Sequence, residues 1–428
     1  MTHFLFLALI VFNACMIRCE EPGTGRLPLG IDMAVSTPSA VDLNGDGKKE
    51  LLVPTVGGKV WLFDSNGTGL RQDNWPAQLP DEFGAPPVAI ETDGQFSIGV
   101  LGMKGKFFVL DEKGRKISEY DTGTLNGSML SSGDYNTDGM LDFAFGTPAG
   151  RVYQFDSSGS LQIVHPVNSI VSTNVIAYDW NDDGGREMIF KGDDGTLYCY
   201  NRGQPVPKQF PEELPKGKSF NLLTLRDPDN VSMTSILYTV TDKSMRTQVV
   251  RVDSDGRYFV PMTMNFKLKS NVLFEDFDGD GSVDMVVADK EDRLHFFPGM
   301  SGKEAEGFPM YFPQLKGLSG TIERADLDND GLPDIVFAYT PLEETENLTG
   351  WIHAYSFDKG DLKDYCREVG FNNGQLLISD INGDGSLDIV VTGVPDSTFA
   401  GQMPNMKIIS TKGKIPLKVI ILGREFRF

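Results

Sequence analysis

The sequence repeats one acidic segment of nine residues, and this repeat constrains the fold more than any other feature. Each copy has oxygen-bearing side chains at positions 1, 3, 5 and 9 and glycine at position 6. The intact copies begin at Asp42, Asp134, Asp179, Asp276, Asp326 and Asp380. Two gaps are about double the repeat, and each contains a degenerate copy, at residues 91–95 and 227–230. The chain therefore has eight units, which we place as starting near residues 37, 86, 129, 174, 222, 271, 321 and 375.

A second marker gives the same number of units. Each unit contains a polar turn between apolar segments, and most of these turns end in glycine. The turns are residues 64–67, 111–114, 156–159, 201–203, 253–256, 298–302, 358–360 and 410–413. Agreement between two independent markers supports a repeat array that covers residues 23–428 as a single domain.

An unbroken apolar run follows each acidic segment, as in residues 51–53 and 285–287. Short continuous runs bounded by turns indicate strands that are buried on both faces. No segment shows a sustained helical period. Units of this length with about four short strands predict an all-β fold, a β-propeller with eight blades of four antiparallel strands. Seven blades is the alternative, if one degenerate unit is an insertion.

The ligand chemistry of the six intact segments predicts calcium. Ca²⁺ takes six to eight hard oxygen ligands at ~2.3–2.6 Å, whereas Mg²⁺ demands a stricter octahedron. The segments contain no histidine or thiolate, which disfavours zinc and copper. Position 7 would contribute its backbone carbonyl. The candidate metal ligands are Asp42, Asn44, Asp46, Lys48, Glu50, Asp134, Asn136, Asp138, Met140, Asp142, Asp179, Asn181, Asp183, Gly185, Glu187, Asp276, Asp278, Asp280, Ser282, Asp284, Asp326, Asp328, Asp330, Leu332, Asp334, Asp380, Asn382, Asp384, Ser386 and Asp388.

Two other interpretations of these segments were weighed. The EF-hand requires a glutamate at position 12, and here that position is apolar in all six copies, for example Val53 and Phe145. The segments could instead be simple hairpins in which aspartates accept hydrogen bonds from backbone amides. Electrostatics favours the ion, because two like charges ~5 Å apart cost on the order of 3 kcal/mol at an effective dielectric of 20.

The charge of the whole chain fits about six calcium sites. It has 39 basic and 60 acidic residues among 428, a formal charge of −21. Six Ca²⁺ ions would add 12 positive charges and leave −9, so we expect calcium binding to be coupled to folding. A surface this acidic should not bind nucleic acid or anionic membranes.

Residues 1–22 have the pattern of a signal peptide or a lipoprotein leader. An apolar run at residues 4–12 precedes Ala14 and Cys15 and then a polar stretch. The run is too short for a membrane span. We therefore expect a secreted or cell-surface protein, or a periplasmic or outer-membrane lipoprotein in a bacterium. In that last case the membrane contact would be a lipid anchor at Cys15.

Common motifs of enzyme active sites are absent from the sequence. The sequence has no Gly-x-Ser-x-Gly, no His-Glu-x-x-His and no phosphate-binding glycine loop. His295 and His353 lie in strand-like settings and are predicted to be structural. Trp75, Trp180 and Trp351 could stack on sugars, although packing inside the blades is the simpler interpretation. We expect a protein without enzymatic activity.

The chain resembles the FG-GAP and VCBS-type repeat propellers, which are related to the amino-terminal propeller of integrin α subunits. The resemblance covers roughly residues 30–428 and rests on the Asp-x-Asn/Asp-x-Asp-Gly-x-x-Asp segment that leads into an apolar strand. Gly146-Thr147-Pro148 and Gly393-Val394-Pro395 stand where that family has Gly-Ala-Pro.

The resemblance implies an extracytoplasmic propeller in which calcium is structural. Such propellers serve adhesion or the binding of proteins and glycans. Two alternatives remain, a polysaccharide-active enzyme of the lyase type and a scaffold subunit of a cell-surface complex. We expect a monomer or a subunit of such a complex, with a protein or glycan ligand.

Overall fold

The structure is a computed structural model. It describes residue 34 and residues 36–70, 73–206, 210–211, 214–226, 234–244, 246–311, 315–341, 350–369, 371–395, 405–410, 419–421 and 424–425. The predicted leader and the degenerate acidic segment at 227–230 lie outside these residues.

The described residues form eight antiparallel sheets, in which consecutive strands are neighbours except for the last short strand of sheet 7, which pairs with the third strand of that sheet. Sheets 1 and 2 consist of β1 Ser39–Val41, β2 Glu50–Pro54, β3 Lys59–Phe63, β4 Ala77–Gln78, β5 Val88–Thr92, β6 Gln95–Leu101, β7 Lys106–Asp111 and β8 Lys116–Asp121. Sheets 3 and 4 consist of β9 Ser131–Gly133, β10 Asp142–Thr147, β11 Arg151–Phe155, β12 Leu161–Pro166, β13 Ile176–Tyr178, β14 Glu187–Lys191, β15 Leu197–Asn201 and β16 Gln204–Pro205.

The remaining sheets follow in the same way. Sheets 5 and 6 consist of β17 Lys218–Arg226, β18 Thr234–Thr241, β19 Thr247–Asp253, β20 Tyr258–Met264, β21 Leu268–Glu275, β22 Asp284–Asp289, β23 Arg293–Phe297 and β24 Met310–Tyr311. Sheets 7 and 8 consist of β25 Leu315–Ala325, β26 Asp334–Pro341, β27 Trp351–Ser356, β28 Gly360–Asp361, β29 Arg367–Glu368, β30 Phe371–Ser379, β31 Asp388–Pro395, β32 Asn405–Ser410, β33 Val419–Ile421 and β34 Arg424–Glu425. Two 3₁₀ turns, Pro298–Met300 and Lys363–Tyr365, are the helical elements of the described residues.

The second strand of each sheet with an intact acidic segment is the most buried. Every residue of β2, β10, β14 and β22 is buried. In β26 and β31, Ile335 and Ile389 are fully inaccessible. The prediction that the apolar runs are strands covered on both faces is therefore confirmed.

Contacts divide the chain into two compact units. One contains the residues up to Pro87, Lys269–Gly299 and Glu304 onward, and therefore sheets 1, 6, 7 and 8. Its cores lie between sheets 6 and 7, between 7 and 8, and between 8 and 1. The other contains Val88–Leu268 and Met300–Lys303, with sheets 2 to 5. Its cores lie between sheets 2 and 3, between 3 and 4, and between 4 and 5.

Side chains on the first strands also link neighbouring sheets. The Asn271 side chain donates to the Ile322 carbonyl at 2.9 Å and accepts from the Ile322 amide at 2.8 Å. Asn174 makes a similar bond to the Leu222 carbonyl at 3.0 Å. Within each of the two compact units, these links and the intersheet cores explain how one sheet covers the apolar faces of its neighbour.

The predicted fold class is confirmed: the described chain has the eight four-stranded antiparallel sheets of a β-propeller. Two details differ from the prediction. Sheets 7 and 8 carry a fifth short strand, β29 and β34. In sheet 2, the degenerate segment at 91–95 is a two-residue turn, Asp93-Gly94, with φ of 52° and 76°, the backbone of a tight hairpin.

Candidate metal centres

The acidic segments form the connections between the first and second strands of six sheets. We number them by sheet: loop 1 (42–50), loop 3 (134–142), loop 4 (179–187), loop 6 (276–284), loop 7 (326–334) and loop 8 (380–388). Each begins after the first strand of its sheet and ends at the first residue of the second strand. Position 9 is thus placed on a buried strand, and positions 1 to 8 lie outside the sheet.

All six loops have the same backbone. Position 4 is left-handed in every loop, with φ between 58° and 77°, although it is glycine in only three of them. Position 6 is always glycine, with φ between 82° and 91°. Left-handed residues turn the chain sharply and aim successive amides inward. Thr137 at position 4 of loop 3 is notable, since its φ of 60° is costly for a β-branched residue.

Position 1 holds this curvature through both of its carboxylate oxygens. Its Oδ2 accepts the amide of position 6 in every loop, at 2.9–3.1 Å. In loop 6, Asp276 Oδ1 also accepts the Gly279 amide at 2.8 Å. The aspartate-capped turn, weighed as an alternative to a metal site, is therefore present in the geometry. The two interpretations are compatible, because a carboxylate oxygen has more than one lone pair.

Position 5 commits one carboxylate oxygen to the backbone and leaves the other outward, beside the side chain of position 3. Position 5 Oδ1 accepts the amide of position 7 in every loop, at 2.7–2.8 Å. Where position 3 is asparagine in loops 3 and 4, its amide group donates to the second oxygen of position 5. The side chains predicted as ligands at these positions do face one another.

Position 9 is the buried acid of the site. Glu50, Asp142, Glu187, Asp284, Asp334 and Asp388 are all at most 5% exposed. In five loops this carboxylate accepts the amide of position 2, at 2.8–3.1 Å. Asp142 accepts instead from the side chain of Gln154, at 2.8 Å.

Burial makes the negative charge at position 9 unfavourable. It raises the pKa of Asp142 and of Asp334 to about 6, with repulsion from the other carboxylates of each loop adding to the effect. Burial also raises the pKa values of Glu50 and Asp284. A cation beside these groups would compensate the buried charge.

Loops 6 and 7 bring three carboxylates together. In each loop, one oxygen from positions 1, 3 and 9 lies within 4.8 Å of the others: Asp276, Asp278 and Asp284, and Asp326, Asp328 and Asp334. Asp328 Oδ1 is buried and accepts no hydrogen bond. An orphaned carboxylate oxygen, an all-oxygen donor set and raised carboxyl pKa values fit a hard divalent cation. In loop 8, the buried Ser386 hydroxyl at position 7 also lacks a partner.

Neighbouring loops within the same compact unit of the structure contact one another in two cases. The Lys49 amide of loop 1 donates to the Ile381 carbonyl of loop 8 at 2.8 Å. The Arg186 amide of loop 4 donates to Thr137 Oγ1 of loop 3 at 3.2 Å. The Thr137 side chain, which is responsible for the strain at that position, thus connects two loops.

A lysine that sequence reasoning missed lies over loop 7. Lys359 Nζ is 2.6 Å from Asp328 Oδ2 and 2.6 Å from Asp330 Oδ2. It comes from the turn between β27 and β28, which the sequence identified only as a repeat marker. The signal was weak because the lysine and its acids are 29 and 31 residues apart.

Two histidines outside the loops, His295 and His353, pair with carboxylates and pack against neighbouring side chains. His295 is 3% exposed, and its ring nitrogens face Asp289, at 3.0 Å from Nε2, and Glu304. His353 Nε2 is 2.9 Å from Asp361, and its ring stacks on Phe337. These placements fit the structural roles predicted for both histidines.

In the described residues, no helix has the length and apolarity required to cross a membrane.

The aromatic residues considered for sugar stacking are mostly inside the sheets. Trp75 and Trp180 are 5% and 4% exposed, so neither offers a ring face to a ligand. Trp351 is partly exposed on β27. The packing interpretation is therefore correct for Trp75 and Trp180.

One outer strand has an unusual apolar exposure. In β20, Tyr258, Phe259 and Val260 are consecutive and 41%, 47% and 36% exposed. The strand pairs with β19 through a register shift near Val250, and Pro261 lies in the shifted segment. Proline and an irregular register discourage addition of another strand at this edge, so the exposed feature is the side chains.

Comparison with known proteins supports the repeat assignment. The family described as "FG-GAP-like repeat" matches residues 276–337, from the first residue of loop 6 to β26 after loop 7. No curated protein matches the chain.

Two solved structures with similar arrangements are far from this chain in sequence. One is BamB from Moraxella catarrhalis, 15% identical, covering 67% of this chain and 76% of its own, with a TM-score of 0.46. The other is BBS1N in complex with ARL6DN, 12% identical, covering 90% of this chain and 98% of its own, with a TM-score of 0.47. The match of residues 276–337 to the FG-GAP-like repeat and the eight antiparallel sheets together support an FG-GAP-type repeat β-propeller.

Proposed function

We propose that this chain is an extracytoplasmic, calcium-stabilised propeller that acts as a binding module for another protein. The observation that carries the calcium part is the common geometry of the six loops. Each has two left-handed residues, an aspartate at position 1 that accepts a backbone amide, and a buried acid at position 9. A simple hairpin needs no buried acid, and a bound cation would compensate the charge of one.

The residues that would hold each ion are the side chains at positions 1, 3, 5 and 9 and the carbonyl of position 7. Calcium would supply positive charge to these clustered oxygens, which otherwise repel one another. The protein holds the oxygens in place through the backbone hydrogen bonds of positions 1 and 5. Calcium is proposed as structural, since the loops brace the entry to the second strand of each sheet.

An extracytoplasmic location is proposed from the predicted leader at residues 1–22 and the number of calcium loops. We propose binding rather than catalysis, because the chemistry of the described residues is concentrated in these loops. The buried His295, between two carboxylates, has no route to a substrate at 3% exposure.

A protein partner is favoured over a glycan by the exposed side chains of β20. Contiguous exposed apolar residues are typical of protein contact surfaces, and Tyr and Phe are enriched at the centres of such surfaces. By contrast, Trp75 and Trp180 cannot stack on a sugar. Tyr258, Phe259 and Val260 are therefore proposed as part of the protein contact.

Capture of a partner tests this proposal. Affinity-tagged protein is incubated with solubilised cell-surface membranes of its own source in calcium, and captured proteins are quantified by mass spectrometry. Phe259→Asp should reduce a stoichiometric partner at least tenfold, on the order of the loss of one contact hot spot. Ile117→Asp is the matched control, because Ile117 is a 50% exposed apolar residue on the outer strand β8.

The melting temperature in calcium shows whether both variants fold. Equal capture by wild type and Phe259→Asp would remove β20 from the proposal. A glycan array that retains wild-type protein, with no protein captured in stoichiometric amount, would replace the protein partner with a glycan.

A further inference from the structure

Loops 6 and 7 have the same ligand chemistry but different surroundings. Both carry aspartate at positions 1, 3, 5 and 9, whereas the other four loops have asparagine at position 3. Both lie in the same unit, and both bring three carboxylates within 4.8 Å. Loop 6 is therefore an internal reference for loop 7.

The surroundings differ in the turn after the third strand. In sheet 7 this turn carries Lys359, whose ammonium bridges the outward oxygens of Asp328 and Asp330 at 2.6 Å each. In sheet 6 the equivalent turn is Pro298–Met300, and the Gly299 amide donates to Asp284 Oδ1 at 2.8 Å. That turn has no basic side chain.

The ammonium contacts the Oδ2 atoms of positions 3 and 5, and Asp328 Oδ1 has no hydrogen-bond partner. Asp330 Oδ1 is already taken by the Leu332 amide at 2.8 Å, while Oδ2 faces Lys359. The Lys359 ammonium thus pairs with two candidate ligand carboxylates at once. The Lys359 side chain is 45% exposed, which leaves it room to move into solvent.

We propose that Lys359 is a tethered competitor for the cation of loop 7, an inference that rests on the proposed calcium function. Without calcium, the ammonium neutralises part of the charge and holds positions 3 and 5 together. A divalent ion that uses these two carboxylates must displace the ammonium, since two cations at the same oxygens repel each other. Loop 7 thus fills at a higher calcium concentration than loop 6 and stays ordered below it.

Chemical labelling of lysines tests the displacement in the wild-type protein. Short pulses of an amine acylating reagent modify only the neutral amine, and mass spectrometry gives the extent at each lysine. Labelling of Lys359 should be low in chelator and rise several-fold across a calcium titration. Lys113 is the reference, since it holds the equivalent turn position of sheet 2, where the acidic loop is replaced by Asp93-Gly94.

Calorimetric calcium titrations of two variants give a second, independent readout. Lys359→Met should tighten one site by roughly fivefold, the scale of one or two surface ion pairs, and should lower the melting temperature of the metal-free protein. Lys303→Met, at an exposed lysine in the connection between β23 and β24, should change neither. If Lys359→Met does not fold, the wild-type labelling still decides.

The outcomes separate this inference from the proposed function. Calcium binding with unchanged Lys359 labelling, or unchanged affinities in Lys359→Met, would overturn the competitor and leave the calcium sites standing. No calcium binding by calorimetry to wild-type protein would overturn the calcium sites themselves.

Discussion

At the scale of single residues, His165 shows what burial does to a titratable group. Its side chain lies on β12, 2% exposed, with its ring 4.3 Å from that of Tyr200. Nε2 is buried without a hydrogen-bond partner. Burial lowers the pKa of His165 to about 4, so the folded protein keeps this ring neutral at pH values where an exposed histidine is charged.

This shift predicts a loss of stability in mild acid. The unfolded chain binds the proton with a pKa near 6.5, so the contribution is present above pH 6.5 and is lost as the pH falls through 4. A difference of this size corresponds to about 3 kcal/mol. Thermal melting of His165→Gln in calcium should therefore fall less between pH 7 and 4 than that of the wild type.

The control for this measurement is His353→Gln, at a histidine with a carboxylate partner. Comparing pH slopes rather than single melting temperatures removes any packing effect of the substitution. Parallel slopes for wild type and His165→Gln would show that His165 does not contribute to acid sensitivity.

At the scale of elements, the loops and strands were predictable because their signals are local. Six copies of one spacing located the six acidic loops and their candidate ligand positions, and the apolar run after each copy predicted a buried strand such as β2. Lys359 was not predictable, because its relation to loop 7 arises only when β27 pairs with β26. The sequence analysis treated residues 91–95 as a degenerate acidic segment, whereas the structure has the two-residue turn Asp93-Gly94 there. The acids that remain at 91–95 concealed that the rest of the nine-residue segment is absent.

The single loop is also the scale at which ligand substitution acts. Asp278→Ala removes one of three close carboxylates from loop 6. In calcium, the variant should melt a few degrees lower, at roughly 2–4 °C per kcal/mol for a large domain. In chelator the difference should shrink or reverse, because the substitution relieves repulsion with Asp276 and Asp284.

Glu306→Ala, at an exposed acid outside the loops, is the comparison for Asp278→Ala. It should have the same small effect in both conditions. An Asp278→Ala deficit that is as large in chelator as in calcium would mean that the side chain matters only for its hydrogen bond to the Asp280 amide.

At the scale of the whole molecule, the recurring acidic loop explains both the surplus of acidic residues and the number of sheets. The formal charge of −21 is carried in large part by loops that recur once per sheet. The fold class and the number of sheets followed from that recurrence. The proposed contact surface on β20 did not follow from it, because the exposure of β20 depends on which strand lies outermost and on the irregular pairing around Pro261.

Removal of calcium should destabilise the entire chain. Because six loops are affected together, we expect chelation to lower the melting temperature by on the order of 10 °C, and excess calcium to restore it. Magnesium at equal concentration should restore less, given its stricter geometry. Scanning calorimetry measures all three conditions, and coincident melting curves would contradict a structural role for calcium.

The short hairpin of sheet 2 has a consequence for how such chains change over time. Eight residues (42–49) join β1 to β2, whereas two (93–94) join β5 to β6, yet both sheets keep four strands in the same order. Gain or loss of six residues at this edge therefore leaves the architecture intact. Under the proposed calcium function, insertion or deletion at this edge would add or remove one ion site per blade.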